Sequence, residues 1–185
     1  MPKQVIAEME RRMKASMNDL AHDLGTLRTG RAAPALLDKV MVEYYGSQTP
    51  LNQLATITAP DARQLLISPW DKSVAGAIAN AILKSDLGVQ ATKDGDNVRV
   101  SVPTLNEERR KEMVKMAGKK TEAHKVAIRN VRRDANDHLK KMEKDGAITK
   151  DELQRHEAEV QKITDRFIAE SDKVRAAKEA EIMEV

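Results

Sequence analysis

Residues 104–152 read TLNEERRKEMVKMAGKKTEAHKVAIRNVRRDANDHLKKMEKDGAITKDE. Apolar or small side chains recur along this stretch in steps averaging about 3.5 residues, which is the spacing of a single buried seam on a helix. The seam consists of Val114, Ala117, Thr121, His124, Ile128, Val131, Ala135, Leu139 and Met142. The pattern predicts one very long helix that buries a narrow face, and such a helix is stable only when it packs against other helices.

Signals at both ends of this stretch set its limits. Thr104 and Glu107 have the spacing of a capping box, in which the two side chains satisfy free backbone N–H groups at a helix start. Gly146 suits the left-handed conformation that ends a helix, and Thr149 with Glu152 forms a second capping box that begins another helix. Because the connection between them is short, we expect these two helices to run antiparallel.

Two further seams of the same spacing complete the helical part. The helix after Gly146 has an inward face of Leu153, His156, Val160, Ile163, Phe167, Ser171 and Val174. The chain opens with a comparable face of Ile6, Met9, Met13, Met17, Leu20, Leu24 and Leu27, and this first helix is predicted to stop near Thr29 and Gly30. The three helices are therefore predicted to form a bundle.

The segment between the first two helices has a different pattern. Short β-branched or apolar runs separated by turn residues predict strands at 40–45, 55–58, 65–68, 89–92 and 98–102. One helical pattern interrupts them, with Val74, Ile78 and Ile82 on its inner face and Asp71 or Ser73 as its cap. Residues 31–104 are therefore predicted to form a small β/α domain inserted into the bundle.

This insertion implies two domains joined by two chain crossings. Residues 1–30 and 105–185 make the bundle, and residues 31–104 make the inserted domain. The crossings lie at Thr29-Gly30-Arg31 and at Pro103-Thr104-Leu105. Two short connections at one place predict a two-stranded hinge.

Composition narrows the class of protein. The 185 residues include no cysteine, which excludes disulfides and thiolate sites and suits a reducing cytoplasm. The sequence has no apolar run of the roughly eighteen residues that a membrane helix needs, and its first residues lack the apolar stretch of a signal peptide. We therefore expect a cytoplasmic protein that does not enter a membrane. Aromatic side chains make up only 2% of the chain, so any RNA binding should depend on the phosphate backbone more than on base stacking.

Positive charge is concentrated in one part of the long central helix. Residues 109–133 contain ten Lys or Arg and two Glu, although the net charge of the whole chain is only +3. At about 100° per residue, Lys125, Arg129, Arg132 and Arg133 fall within about 100° of arc and well away from the seam. Arginine binds phosphate with two parallel hydrogen bonds, so this stripe favours a nucleic acid or another polyanion.

The same charges have a plainer interpretation. A run of cations is often a solvated helical face with ion pairs, and Asp134 and Asp137 are close enough in sequence to supply the carboxylates. Arg28 could likewise stabilise the C-terminal dipole of the first helix. Arg109 and Arg110, however, lie near a helix start, where the dipole disfavours cations, so binding explains them better.

No catalytic or metal motif stands out. The four histidines lack metal-ligand spacing, and two of them, His124 and His156, occupy seam positions typical of packing residues. The string from Ala117 to Thr121 resembles the end of a phosphate-binding loop, but it lies inside a predicted helix and lacks the first glycine. We expect no metal, no cofactor and no catalytic residue.

Several motifs together resemble the bacterial ribosome recycling factor family over the whole chain. They are residues 27–32 (LRTGRA), 42–46 (VEYYG), 85–88 (SDLG), 107–111 (EERRK) and 129–137 (RNVRRDAND), in an order of helix, inserted domain and helical hairpin. The resemblance implies an α+β fold in which a long three-helix bundle and an inserted small β/α domain form an L-shaped, two-domain arrangement.

The resemblance also implies a function. Members of this family bind the post-termination ribosome and, with elongation factor G and GTP, promote its dissociation into subunits and the release of messenger RNA and transfer RNA. They are not enzymes, and their bundle contacts large-subunit ribosomal RNA. Residue by residue, the resemblance assigns those contacts to Arg28, Arg31, Arg110, Arg129, Arg132 and Arg133. We expect a monomer.

Two other hypotheses remain open on the sequence. One is a helical module that coats structured RNA in general, which would bind unrelated duplexes as well as it binds ribosomes. The other is an enzyme that uses a cleft between the domains, for which the histidines are the one supporting feature.

Overall fold

Long helices and a small β/α region make up the protein in a computed structural model that describes residues 1–184. The elements in chain order are α1 (Pro2–Gly25), β1 (Met41–Tyr44), β2 (Ser47–Pro50), β3 (Ala55–Asp61), β4 (Gln64–Pro69), α2 (Ala75–Lys84), β5 (Gln90–Asp94), β6 (Asn97–Ser101), α3 (Glu107–Lys144) and α4 (Lys150–Met183). The predicted α+β class is confirmed. Val185, the last residue of the predicted bundle, lies outside the described residues.

The chain divides by its internal contacts into two compact units. The helical unit comprises Met1–Leu24 and Met116–Glu179, and the β/α unit comprises Gly25–Lys115 with the residues from Ala180 onward. The division falls inside α3, so the first turns of that helix belong with the strands. The predicted domains, a bundle of residues 1–30 and 105–185 and an inserted domain of residues 31–104, stay a prediction.

The predicted seams form the core of the helical unit. Side chains from all three long helices share one apolar cluster, which consists of Ile6, Met9, Met13, Ile128, Val131, Ala135, Leu139, Val160 and Phe167. Thr121 and Ser171 are also fully buried in seam positions, and each hydroxyl donates to a carbonyl four residues back in its own helix. The polar seam residues are thus satisfied locally, and the seam stays continuous.

Helix ends agree with the predictions at the turn between α3 and α4. Gly146 has a φ of +79°, and Ala147 N donates to Met142 O at 2.8 Å, as in a left-handed helix end. Thr149 Oγ1 accepts from Glu152 N at 3.1 Å and lies 3.2 Å from the Glu152 carboxylate. The Thr149 half of the second capping box is therefore confirmed, and Glu152 accepts from the Thr149 hydroxyl.

Two predicted helix ends were wrong. The cap of α3 is Asn106, whose Oδ1 accepts from Arg109 N at 2.7 Å, and Thr104 lies before the helix. An asparagine side chain caps a helix start at least as well as a threonine side chain does. Because Asn106 is the cap, the first turn of the helix begins at Glu107. Helix α1 ends at Gly25, not near Thr29 and Gly30. Leu27 continues the apolar spacing and is buried, but it does so from an irregular segment.

The β/α unit is built on antiparallel strands. One sheet has four strands in the order β3-β4-β6-β5, and β1 pairs with β2 in a separate hairpin. Val98 and Val100 of β6 face inward with Leu65 and Ile67 of β4, and α2 adds Ile78 and Ile82 to the same core. Asp71 caps the turn that leads into α2 by accepting from Ser73 N, as one of the two predicted caps.

The strand predictions were correct in place and off by a few residues at the ends. The missed element is β2, whose sequence Ser47-Gln48-Thr49-Pro50 has none of the apolar alternation that indicates a strand. It forms because Tyr45 and Gly46 make a tight turn that folds it back on β1. Within the described residues, no helix combines the length and the apolar character required to cross a membrane.

The packing of α4 against α3 explains why a glycine, Gly118, occurs in the middle of α3. A Cβ added at Gly118 would lie 2.6 Å from Nη2 of Arg175, whose guanidinium from α4 pairs with Glu179 at 2.9 Å. A Cβ added at Gly76 of α2 would meet nothing within 4 Å. Glycine normally weakens a helix, so its presence at position 118 indicates space reserved for the arginine.

We therefore predict different outcomes for two Gly→Ala variants in urea unfolding. Gly76→Ala should raise the free energy of unfolding by about 0.5–1 kcal/mol, the usual gain from replacing a helical glycine. Gly118→Ala should gain less, because Arg175 must leave its position. The gain at position 118 should return in an Arg175→Ala background, and equal gains in the two single variants would contradict this packing account.

Candidate nucleic-acid interface

The stripe on α3 presents three arginines with no carboxylate partner in the part of the chain that the structure describes. Arg133 is exposed, and Arg129 and Arg132 are half-exposed, because the buried seam residues on either side turn them outward. Arg133 Nη1 makes one weak contact, at 3.4 Å, with the Asn130 amide oxygen. The arginine stripe, defined as residues 129, 132 and 133, is thus a surface of uncompensated positive charge.

The carboxylates that the plainer interpretation needs are directed elsewhere. Asp134 accepts from Arg12 of α1 at 3.2 Å, so it joins two helices and does not neutralise the stripe. Among residues 1–184, Asp137 pairs with no arginine of the stripe. The structure therefore favours a binding surface over an ion-paired solvated face.

Lys125 does not belong to this surface, although the helical arc placed it there. Its side chain is only 11% exposed, and its Nζ lies 2.5 Å from Asp172 of α4 and 3.5 Å from Glu122. A cation that is buried and neutralised in this way serves the α3–α4 contact. Sequence reasoning missed it because the pairing register of two helices cannot be read from either helix alone.

The first turns of α3 carry cations that are partly neutralised. Arg109 pairs with Glu112 at 3.1 Å, and Lys111 pairs with Glu107 at 3.6 Å. These are exposed pairs within one helix and contribute little free energy, so a polyanion would displace the carboxylates easily. The ion pairs at the start of α3 thus differ from the arginine stripe, where the described residues supply no carboxylate partner.

Arg31 and Arg110 line one surface cavity of about 190 Å³ in the β/α unit. Its other lining residues are Thr29, Gly30, Ala62, Arg63, Thr104, Leu105, Glu181 and Glu184. Arg31 lies 3.5 Å from the Glu184 carboxylate, and the two side chains are 72% and 60% exposed. A pair this exposed is weak, so Arg31 stays available to a competing anion.

Arg28 is buried, unlike the other predicted contacts. It is 6% exposed, and Nη2 donates to Pro103 O at 2.8 Å while Nη1 lies 3.4–3.5 Å from the carbonyls of Leu87 and Gly88. Burial, and to a lesser extent the nearby Arg109 cation, lowers the pKa of Arg28. A direct phosphate contact would require this guanidinium to abandon three carbonyls, so its position is that of an internal clasp.

The two chain crossings predicted as a hinge come together in the structure. Ala32 N donates to Ala62 O at 2.7 Å, and Val102 N donates to Arg63 O at 2.8 Å, so one strand-connecting turn holds both crossings. Gly30 has a φ of +82°, a left-handed conformation that glycine adopts without strain. The spacing of both crossings is fixed by these bonds and by Arg28.

One half-buried histidine has the neighbours of a catalytic triad. His124 Nε2 lies 2.7 Å from Asp23 Oδ2, and its Nδ1 lies 3.3 Å from Ser16 Oγ. All three residues lie within α1 or α3, where backbone N–H groups bond inside the helix and cannot stabilise an oxyanion. The arrangement therefore links α1 to α3, in agreement with a packing role. No cluster of three metal-ligating side chains occurs in residues 1–184.

Comparison with known proteins agrees with the family resemblance of the sequence motifs. The family model described as "Ribosome recycling factor" matches residues 20–183. The ribosome-recycling factor of Bacillus subtilis (strain 168) is 54% identical over 185 residues, and that of Symbiobacterium thermophilum is 53% identical, with each alignment covering the whole of both chains.

Solved structures of the same kind are also similar to this chain. A solution structure of the ribosome recycling factor matches with a TM-score of 0.75 and 40% identity over 100% of this chain and 98% of that one. The T. thermophilus ribosome recycling factor, from models in which it and the E. coli elongation factor G are bound to the E. coli post-termination complex, matches with a TM-score of 0.68 and 48% identity over the full length of both chains.

We predict that Arg28→Lys lowers the free energy of unfolding by about 1–3 kcal/mol, because one ammonium group cannot serve three separate carbonyls. Urea unfolding measures this change. Arg31→Lys is the matched control, and its exposed pair should change stability by less than about 0.5 kcal/mol. An Arg28→Lys protein as stable as the parent would contradict the clasp.

Proposed function

The chain belongs to the ribosome recycling factor family, and on that premise we propose that it binds the post-termination ribosome. There, with elongation factor G and GTP, it promotes separation of the subunits and release of messenger RNA and transfer RNA. Its homologue of 48% identity has been placed with elongation factor G on a post-termination complex, which supports the same partners here.

The observation that carries the proposal is the arginine stripe. Arg129, Arg132 and Arg133 lie on a helix that the shared core holds rigid, and none has a carboxylate partner among the described residues. Guanidinium groups carried at fixed spacing along a packed helix suit the phosphates of a folded RNA, which are themselves held at fixed positions. We propose large-subunit ribosomal RNA as the binding partner of this stripe.

Arg31 and Arg110 extend the proposed RNA contact beside the two crossings. Both line the same cavity, and the Glu184 partner of Arg31 is exposed and easily displaced. For Arg28, which the resemblance assigns to RNA contact, the bonds of its guanidinium to Pro103 and the Leu87-Gly88 turn support a different role. We propose that it orders the crossing beside the RNA and makes no phosphate contact itself.

The hinge is proposed at Thr29, Gly30 and Arg31 in one crossing and at Pro103, Thr104 and Leu105 in the other. The left-handed Gly30 supports this placement, because such a residue permits backbone rotations that other residues resist. The chain supplies docking and movement, and GTP hydrolysis by elongation factor G supplies the energy. We therefore propose a non-enzymatic, monomeric factor that works in the cytoplasm.

The test of this proposal is subunit separation from purified post-termination ribosomes, followed by light scattering. We expect this protein to accelerate separation only when elongation factor G and GTP are both present. No acceleration would contradict the assignment, and equally tight binding to an unrelated RNA duplex would favour a general RNA-coating module.

Arg132→Ala tests the stripe itself. We predict that ribosome binding weakens by about 1–3 kcal/mol while thermal stability is unchanged, because the guanidinium makes no ion pair within the described chain. Arg155→Ala, which removes an exposed arginine from α4, is the matched control and should bind normally. If Arg132→Ala unfolds the protein, Arg132 has a structural role. If the variant binds ribosomes normally, the stripe is not the RNA-binding surface.

A further inference from the structure

Three of the few aromatic side chains lie either at the β1–β2 hairpin of the β/α unit or next in sequence to a residue that the hairpin contacts. Tyr45 is 85% exposed at the turn of the hairpin, and Trp70 is 67% exposed where β4 ends. Tyr44 connects them, since its ring contacts Tyr45 edge to face at 4.5 Å and its hydroxyl donates to Asp71, the residue after Trp70. We name Tyr44, Tyr45 and Trp70 the aromatic surface.

Tyr45 is held in a backbone conformation that its side chain does not favour. With Gly46 it forms the two-residue turn between β1 and β2, and both residues have positive φ, +48° and +80°. Turns of this kind favour Asn-Gly, because a bulky side chain is strained in the left-handed region. A large aromatic side chain in this strained position, almost fully in solvent, indicates a role in binding.

Tyr44, the central residue of the aromatic surface, is held in place before any partner arrives. Asp71 accepts from Tyr44 at 3.2 Å and from both the backbone and the hydroxyl of Ser73, at 3.0 and 2.6 Å. The bonds from Ser73, and then the one from Tyr44, lower the pKa of Asp71, which therefore stays ionised. Burial and the Asp71 carboxylate raise the pKa of Tyr44, so its hydroxyl remains a donor. A side chain ordered in advance loses little entropy on binding, so Tyr44 is ready to support a partner bound at this surface.

The charges around the aromatic surface select the kind of partner. Glu43 is exposed on the strand that leads into Tyr45, and the Asp71 carboxylate lies against Tyr44. The neighbouring cation, Lys72, pairs with Asp96 at 3.6 Å. Carboxylates beside exposed rings repel the phosphates of RNA, but they attract arginine and lysine, which also bind the faces of Trp and Tyr.

We propose that the aromatic surface is a second interface, separate in chemistry from the arginine stripe, and that it binds a protein segment rich in arginine. The guanidinium groups of that segment would lie on Tyr45 and Trp70, with Glu43 and Asp71 balancing their charge. Large aromatic side chains are among the residues on which protein interfaces most often depend. The proposal does not depend on ribosome binding by the stripe.

Trp70 is the single tryptophan of the chain, so its fluorescence reports binding at this surface directly. The probe is a hexa-arginine peptide titrated into the full-length protein at about 0.15 M salt, where weak long-range attraction is screened. Hexauridylate is the competing RNA probe. We expect a saturable change in Trp70 emission with the peptide and none with the RNA.

Tyr45→Asn separates binding from folding, because asparagine suits the turn better than tyrosine. We expect this variant to be at least as heat-stable as the parent and to bind the peptide at least fivefold more weakly. Leu83→Ala removes another exposed apolar side chain of the same unit and should bind like the parent. Saturation by hexauridylate, no response to the peptide, or unchanged binding by Tyr45→Asn would each overturn the proposal.

Discussion

The apolar seam shared by α1, α3 and α4 is the constraint on which the rest of the helical unit depends. A 38-residue helix such as α3 is too long and too polar to persist alone, so its order comes from contacts along one narrow face. Packing that face inward fixes the rotation of the helix and leaves Arg129, Arg132 and Arg133 outside. The position of the uncompensated charge thus follows from the burial of Ile128, Val131 and Ala135.

Ion pairs with carboxylates separate the cations of α3 that hold the fold together from those that are free to bind a partner. Asp172 binds Lys125, so that α3 and α4 are joined by a buried pair. Asp134 binds Arg12 of α1 and leaves the stripe unpaired. Arg28 shows the same principle with carbonyls in place of carboxylates, since its bonds order a chain crossing. The cations of α3 that are most available for binding a partner are those that have no carboxylate or carbonyl partner within the fold.

The sequence predicted the features that depend on local chemistry. The seams, the Thr149 cap, the Gly146 helix end and five of the six strands all have signals within a few residues. It did not predict β2, which is polar and exists because Tyr45 and Gly46 turn the chain back on β1. Nor could it place Arg28 and Lys125, because their partners are 59 to 75 and 47 residues away in sequence. The position of a residue around a helix predicts which way its side chain points. Whether its charge is neutralised depends on residues of other helices that pack against it.

The central claim is that the arginine stripe docks on RNA phosphates, and the salt dependence of ribosome binding tests it most directly. Each phosphate contact releases condensed counterions, so the logarithm of the affinity should fall linearly with the logarithm of salt concentration. The slope should be about −3.5 to −4.5 for five such contacts, three from the stripe and two from Arg31 and Arg110. We predict a slope of that size for the parent protein and a slope smaller by about one in Arg132→Ala. A slope near zero in the parent protein would contradict docking through phosphate.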